Sequence, residues 1–136
     1  MSLLVLIGRI LFVGVFVTSA LGHFRNTDML AGYAQSKGVP QSRLAVLGGG
    51  ALLGLGAISV LLGIWPDLGA LLLAIFLLPT AFLIHPFWKE SGEGRMMESV
   101  QFYKDLGLAG ASIMLLGLFV IAGDELGFTI TGPLFG

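Results

Sequence analysis

The sequence predicts an all-α transmembrane bundle of four helices, and three observations lead there. Residues 3–24, 44–64, 68–85 and 99–123 are long apolar stretches, and nearly every charge lies between them. At about 1.5 Å rise per residue, each stretch is long enough to cross a hydrocarbon layer of about 30 Å. The stretches are apolar on all sides, whereas a water-facing element would interleave polar residues at its own period. Composition agrees: 56% hydrophobic residues, 11% charged and a mean hydropathy of +0.96, against about 25% charged in soluble domains.

The first span covers 3–24 and carries only Arg9 and His23 as ionisable groups. No Lys or Arg precedes its apolar run, and Arg9 interrupts it, so the charged start of a cleaved signal is missing and a retained helix is expected. Residues 25–43 form a polar linker with local order. Asn26 or Thr27 can cap a short helix, Asp28 suits its first turn and Gly38 its end. Met29, Leu30, Tyr33 and Ala34 make an apolar stripe suited to the membrane interface.

The second span, 44–64, is joined to the third by Trp65-Pro66-Asp67, too short for anything but an antiparallel neighbour. Pro86 disfavours helical geometry at His85, so the third span, 68–85, should end there. Trp65 and Trp88 bracket it as interfacial aromatics. A polar loop leads to the fourth span, 99–123, with its start placed between Arg95 and Ser99. Gly50 and Gly54 form a small-residue pair permitting close helix contact, and Gly107, Gly110 and Gly117 of the last span are expected to pack likewise or to serve a homo-oligomer.

Of seven Lys and Arg residues, all but Arg9 (Arg25, Lys37, Arg43, Lys89, Arg95 and Lys104) fall on the side of the two polar linkers. The positive-inside rule then puts those linkers in the cytoplasm and both termini outside. A net charge of −1 without a basic tail offers nothing to nucleic acid. The absence of cysteine excludes a thiol nucleophile, an iron–sulfur cluster and a disulfide, so any redox role needs a bound cofactor, a quinone or a partner protein.

Few residues can carry chemistry. Arg9, two turns inside the first span, reads as a structural charge neutralised from the termini side, with Asp67 as its expected partner. His23 and His85 end the first and third spans on one side and suggest a shared polar pocket. They lack His-x-x-x-His spacing and flanking acids, so no metal site is expected. Glu98, Gln101 and Asp105 recur on one face at the entry of the fourth span, with Lys104 beside them. They read either as a solvated first turn or, for Glu98 and Gln101, as a pocket mouth shared with the histidines and with the aromatic Phe87 and Trp88. No catalytic residue is identifiable.

Gly8-Arg9, Gly22-His23, Gly32-Tyr33-Ala34, Lys37-Gly38-Val39-Pro40, the glycine-rich second span and His85-Pro86-Phe87-Trp88 together resemble the DoxX family of small bacterial membrane proteins. The resemblance covers nearly the whole chain and implies a four-helix bundle in the bacterial cytoplasmic membrane. The family is named for its similarity to the membrane subunit of an archaeal thiosulfate:quinone oxidoreductase. Some mycobacterial members are linked to an oxidoreductase complex containing superoxide dismutase and a thiosulfate sulfurtransferase. It therefore implies one of two roles: a quinone-associated component of a membrane redox system, or a non-catalytic scaffold anchoring soluble redox partners. A small-solute transporter is a third class, for which four short helices with one deep charge offer little material.

Overall fold

A computed structural model describes residues 1–136. Its helices are α1 (Ser2–Arg25), α2 (Thr27–Ser36), α3 (Ser42–Leu62), α4 (Pro66–Ile84) and α5 (Gly92–Ala122), with 3-10 turns at Phe87–Lys89 and Gly123–Leu126. Four of them, α1, α3, α4 and α5, are long and apolar enough to span a membrane, and the chain forms an all-α transmembrane four-helix bundle. The short α2 lies in the first linker as expected, but neither expected cap is made: Asn26 sits at the N-cap position without a side-chain bond, and the Thr27 hydroxyl donates to the His23 carbonyl (2.7 Å).

With α3 ending at Leu62 and α4 starting at Pro66 inside the expected turn, the helix bounds lie within two residues of the expected spans except in α5. That helix begins at Gly92, about two turns before the expected start. Its 31 residues rise about 46 Å, more than a hydrocarbon layer requires. The excess is the polar stretch Gly92–Glu98, which stands clear of the apolar layer and so leaves no hydropathy signal. It carries Glu98 up beside α2 and the end of α4.

Helix α1 packs on α3, α3 on α4 and α4 on α5, so the four spans form an arc. In lipid, such contacts depend on close van der Waals approach at small residues. At α3–α4 the approach is through Gly56 and Gly69. A Cβ on Gly69 would lie 2.9 Å from the Gly56 carbonyl oxygen and 2.3 Å from Ser59 Oγ. At α1–α3, Gly50 and Gly54 meet His23 and Ala20, where a Cβ on Gly50 would come within 2.9 Å of His23 Cβ. The glycines of α5 behave otherwise. Gly107, Gly110 and Gly117 have open space where a side chain would go, because α5 buries the opposite face through Phe102, Asp105, Ala109, Ser112 and Phe119.

The turn end of the bundle, with both termini and the α3–α4 turn, is tied by two buried charges. Arg9 is 1% exposed and Asp67 is fully buried. The expected Arg9–Asp67 pairing is not made. Arg9 instead donates to the carbonyls of Val60 (2.9 Å) and Leu61 (2.7 Å) at the end of α3, and of Phe128 (2.9 Å) and Gly127 (3.3 Å) in the C-terminal tail. Its guanidinium also lies over the Phe119 ring, 5.8 Å from the centroid. Asp67, at the start of α4, accepts from the backbone N–H groups of Leu134 (2.7 Å) and Phe135 (2.6 Å) in that tail. Each charge thus serves backbone groups that a helix terminus and an irregular segment leave unpaired, at the end of the dipole that favours its sign.

The tail crosses the α3–α4 turn closely enough that a Cβ on Gly63 (φ 67°) would meet Thr129 Cα at 2.5 Å. Glycine is required there for both conformation and clearance.

Candidate functional site

At the opposite, linker end the arc does not close. A cavity of about 530 Å³ lies between α1 and α5 and is floored by α3 and α4, with the underside of α2 above it. Its walls are apolar, Phe16, Leu52, Leu53, Phe76 and Leu108 among them, and polar groups collect toward the linkers: His23, Tyr33, His85, Lys104 and Asp105. Glycine helps make this space, since a Cβ on Gly49 would strike Phe76 at 2.8 Å.

Each polar side chain arrives by a local rule. His23, in the last turn of α1, bonds through Nδ1 to the Ser19 carbonyl one turn back (2.8 Å). A carbonyl only accepts, so Nδ1 carries the proton. Phe76 packs edge-on to its ring at 5.7 Å. His85 caps α4, where the following Pro86 stops the helix and turns the ring toward α5. Tyr33 comes from α2, which folds back over α3 through Ala31, Ala34 and Val46 and an exposed Asp28–Arg43 ion pair.

The centre of the arrangement is Glu98, which accepts His85 Nδ1–H at Oε2 (2.7 Å) and the Tyr33 hydroxyl at Oε1. On the other side of the ring, His85 Nε2 faces Asp105 Oδ2 at 3.7 Å. Asp105 is 5% exposed, and its Oδ1 lies 3.7 Å from Lys104 Nζ, which also bonds Gln101 (2.5 Å). Burial raises the Tyr33 phenol above its ordinary value, and its hydrogen bond to Glu98 with the charges of Glu98 and Glu90 adds to the shift. Tyr33 therefore stays a donor to Glu98 at neutral pH.

Of the residues singled out from sequence, His23 and His85 line the one cavity, and Glu98 joins it through His85. Gln101 is exposed and turned to Lys104. Phe87 and Trp88 do not line the cavity. They pack with Phe82, Phe102 and Tyr103 in an aromatic cluster on the far side of α4 and α5, with ring centroids 5.2–6.2 Å apart. Tyr33 and Asp105 were not singled out as site residues. The spacing from Glu98 to Asp105 carried a signal for the second, whereas nothing in the linker says that Tyr33 folds over the mouth.

Residues 4–86 match the DoxX family. The match ends just past His85, so Glu98 and Asp105 lie beyond it. The chain is also 29% identical over 112 residues to the inner membrane protein YphA of Escherichia coli (strain K12), covering 82% of this chain and 80% of that protein. No solved structure matches.

Proposed function

The chain belongs to the DoxX family, and from that premise we propose that it is a quinone-associated component of a membrane redox system, holding the quinone head in the linker-end cavity. The observation carrying this reading is a cavity of about 530 Å³ with apolar walls and its hydrogen-bonding groups gathered at one end. A quinone head needs a flat apolar slot with donors at its carbonyl oxygens, and its isoprenoid tail needs a way out to lipid. The linker end of the seam between α1 and α5, which face one another across the cavity there, supplies that way.

The chain has no cysteine, so thiosulfate or another sulfur donor is not oxidised on it through a thiol. Electrons come from a soluble partner docked on the linker side, where Lys89, Arg95 and Lys104 are exposed. The membrane is the bacterial cytoplasmic membrane, with the linkers inside.

The test is binding of a short-chain benzoquinone to protein in nanodiscs, comparing wild type with His23→Ala, His85→Ala and Asp105→Ala. Saturable binding, weakened about tenfold or more by His85→Ala as expected for one hydrogen bond at a buried polar group, supports the reading. Undetectable binding to wild type removes the quinone and leaves a scaffold that anchors soluble partners. Equal binding in all four proteins moves the site out of this cavity.

A further inference from the structure

We propose that His85 is the proton-exchanging residue of the cavity, with Nε2 as its working atom, and that Glu98 is the positioning residue that makes it so. The inference rests on the quinone reading above and assigns the proton half of that chemistry. An imidazole presents two nitrogens, and a partner at one decides what the other can do. Here Glu98, fixed by the Tyr33 hydroxyl, takes Nδ1–H at 2.7 Å and leaves Nε2 on the cavity side. Both anchors come from elements outside the apolar layer, α2 and the extended start of α5, so the ring is held from the linkers while its free edge faces the ligand.

The charged and titratable groups around this ring are few. Helix α2 supplies Tyr33 and, behind it, Lys37, whose ammonium pairs with Glu90 at 3.0 Å. Helix α5 supplies Glu98, Asp105 and Lys104, and α1 supplies His23 across the cavity. Helix α3 contributes none to the lining.

Reduction of a bound quinone consumes two electrons and two protons, converting two C=O groups to two C–O–H groups. The electrons come from the soluble donor proposed above. Neutral His85 keeps its proton at Nδ1 on Glu98, so Nε2 first takes up a second proton, gives it to the adjacent ring oxygen, and returns the ring to the neutral Nδ1–H form. Asp105, with Oδ2 3.7 Å from Nε2 and Oδ1 3.7 Å from Lys104 Nζ, returns a proton to Nε2 from the solvent at the exposed lysine. His85 thus supplies one of the two protons; the second reaches the opposite ring oxygen from water at the linker end, and the reverse steps serve quinol oxidation.

Two measurements test the assignment. The chain has only two histidines, so ¹⁵N-histidine NMR of a His23→Gln background reports His85 alone. Wild-type and Glu98→Gln proteins, both offering an oxygen to Nδ1–H, are expected in the Nδ1–H tautomer, and Glu98→Leu is expected to move to the Nε2–H form favoured in solution. In nanodiscs loaded with a short-chain benzoquinone and reduced by dithionite, quinol formation should slow about a hundredfold in His85→Asn and Glu98→Leu and stay near wild type in Glu98→Gln. An Nε2–H tautomer in wild type, or wild-type rates in His85→Asn with quinone bound, overturns the proposal while leaving quinone binding intact. Failure of wild type to bind quinone instead overturns the parent reading and this one with it.

Discussion

Arg9 and Glu98 illustrate how a side chain's role follows from the unpaired groups around it. Arg9 meets carbonyls that the end of α3 cannot satisfy internally and carbonyls of a tail without regular structure. Replacing it by methionine keeps the stem but leaves buried acceptors unpaired, at about 1–3 kcal/mol each where no water replaces the donor. Arg9→Met should therefore lower the unfolding temperature in detergent and open residues 124–136 to protease. An intact, protease-resistant tail in this variant would show that Arg9 is dispensable to the clasp. Tyr33 gives a second test, through pH. Its phenol is held above the ordinary value of 10.0, first by burial and then by Glu98. A folded value above the unfolded one means that the stabilisation is fully present below about pH 10 and is lost as the pH climbs from there through the folded value. In a Tyr103→Phe background, phenolate absorbance should appear later than in the unfolded chain, and Glu98→Gln should bring it forward without abolishing the delay. Removal of the whole delay by that single change would make burial the smaller cause.

Among the elements, glycines of similar sequence context have different consequences. Gly69 faces Gly56 and Ser59 across the α3–α4 contact, so Gly69→Leu must separate two helices that approach through their backbones. Overpacking costs typically about 1–3 kcal/mol and more where the backbone itself is struck, so loss of folded, monodisperse protein is expected. Gly110→Leu on α5 projects into open space and should leave thermal stability within about 0.5 kcal/mol. Size-exclusion chromatography and thermal unfolding separate the two cases. A collapse in Gly110→Leu comparable to that in Gly69→Leu would mean that this face of α5 is covered by a second copy in the membrane. Element length also matters. Because α5 outruns the apolar layer, its first turns bring a carboxylate to a histidine that ends a different span.

For the whole molecule, the two ends of the bundle do different things. The turn end is tied shut by Arg9, Asp67 and the tail, and the linker end opens into a cavity beneath α2. By the positive-inside rule, the cation distribution leads us to propose that the cavity mouth faces the cytoplasm and the clasp the outside. In this cysteine-free chain, Ser36→Cys on α2 and Glu125→Cys at the turn end are both exposed. An impermeant thiol reagent on intact cells should label Glu125→Cys and spare Ser36→Cys. The opposite pattern would invert the protein and place any soluble partner on the other face.

Spans, their number and their antiparallel order were legible in the sequence, because a hydrocarbon layer demands long apolar helices and short turns fix neighbours. The short α2, its end before Gly38 and the stop at His85-Pro86 were legible too, since glycine and proline act within a few residues of chain. The two histidines could be placed at one end, as depth follows from position along a span. Their partners were not legible. That Glu98 rather than Gln101 reaches His85, that Tyr33 folds over the mouth, that Phe87 and Trp88 turn away, and that Arg9 binds carbonyls rather than Asp67 all depend on the rotation of each helix about its axis. Rotation is set by which small residues let two backbones meet. An apolar span shows almost no hydrophobic periodicity along its length, so only the packed structure decides it.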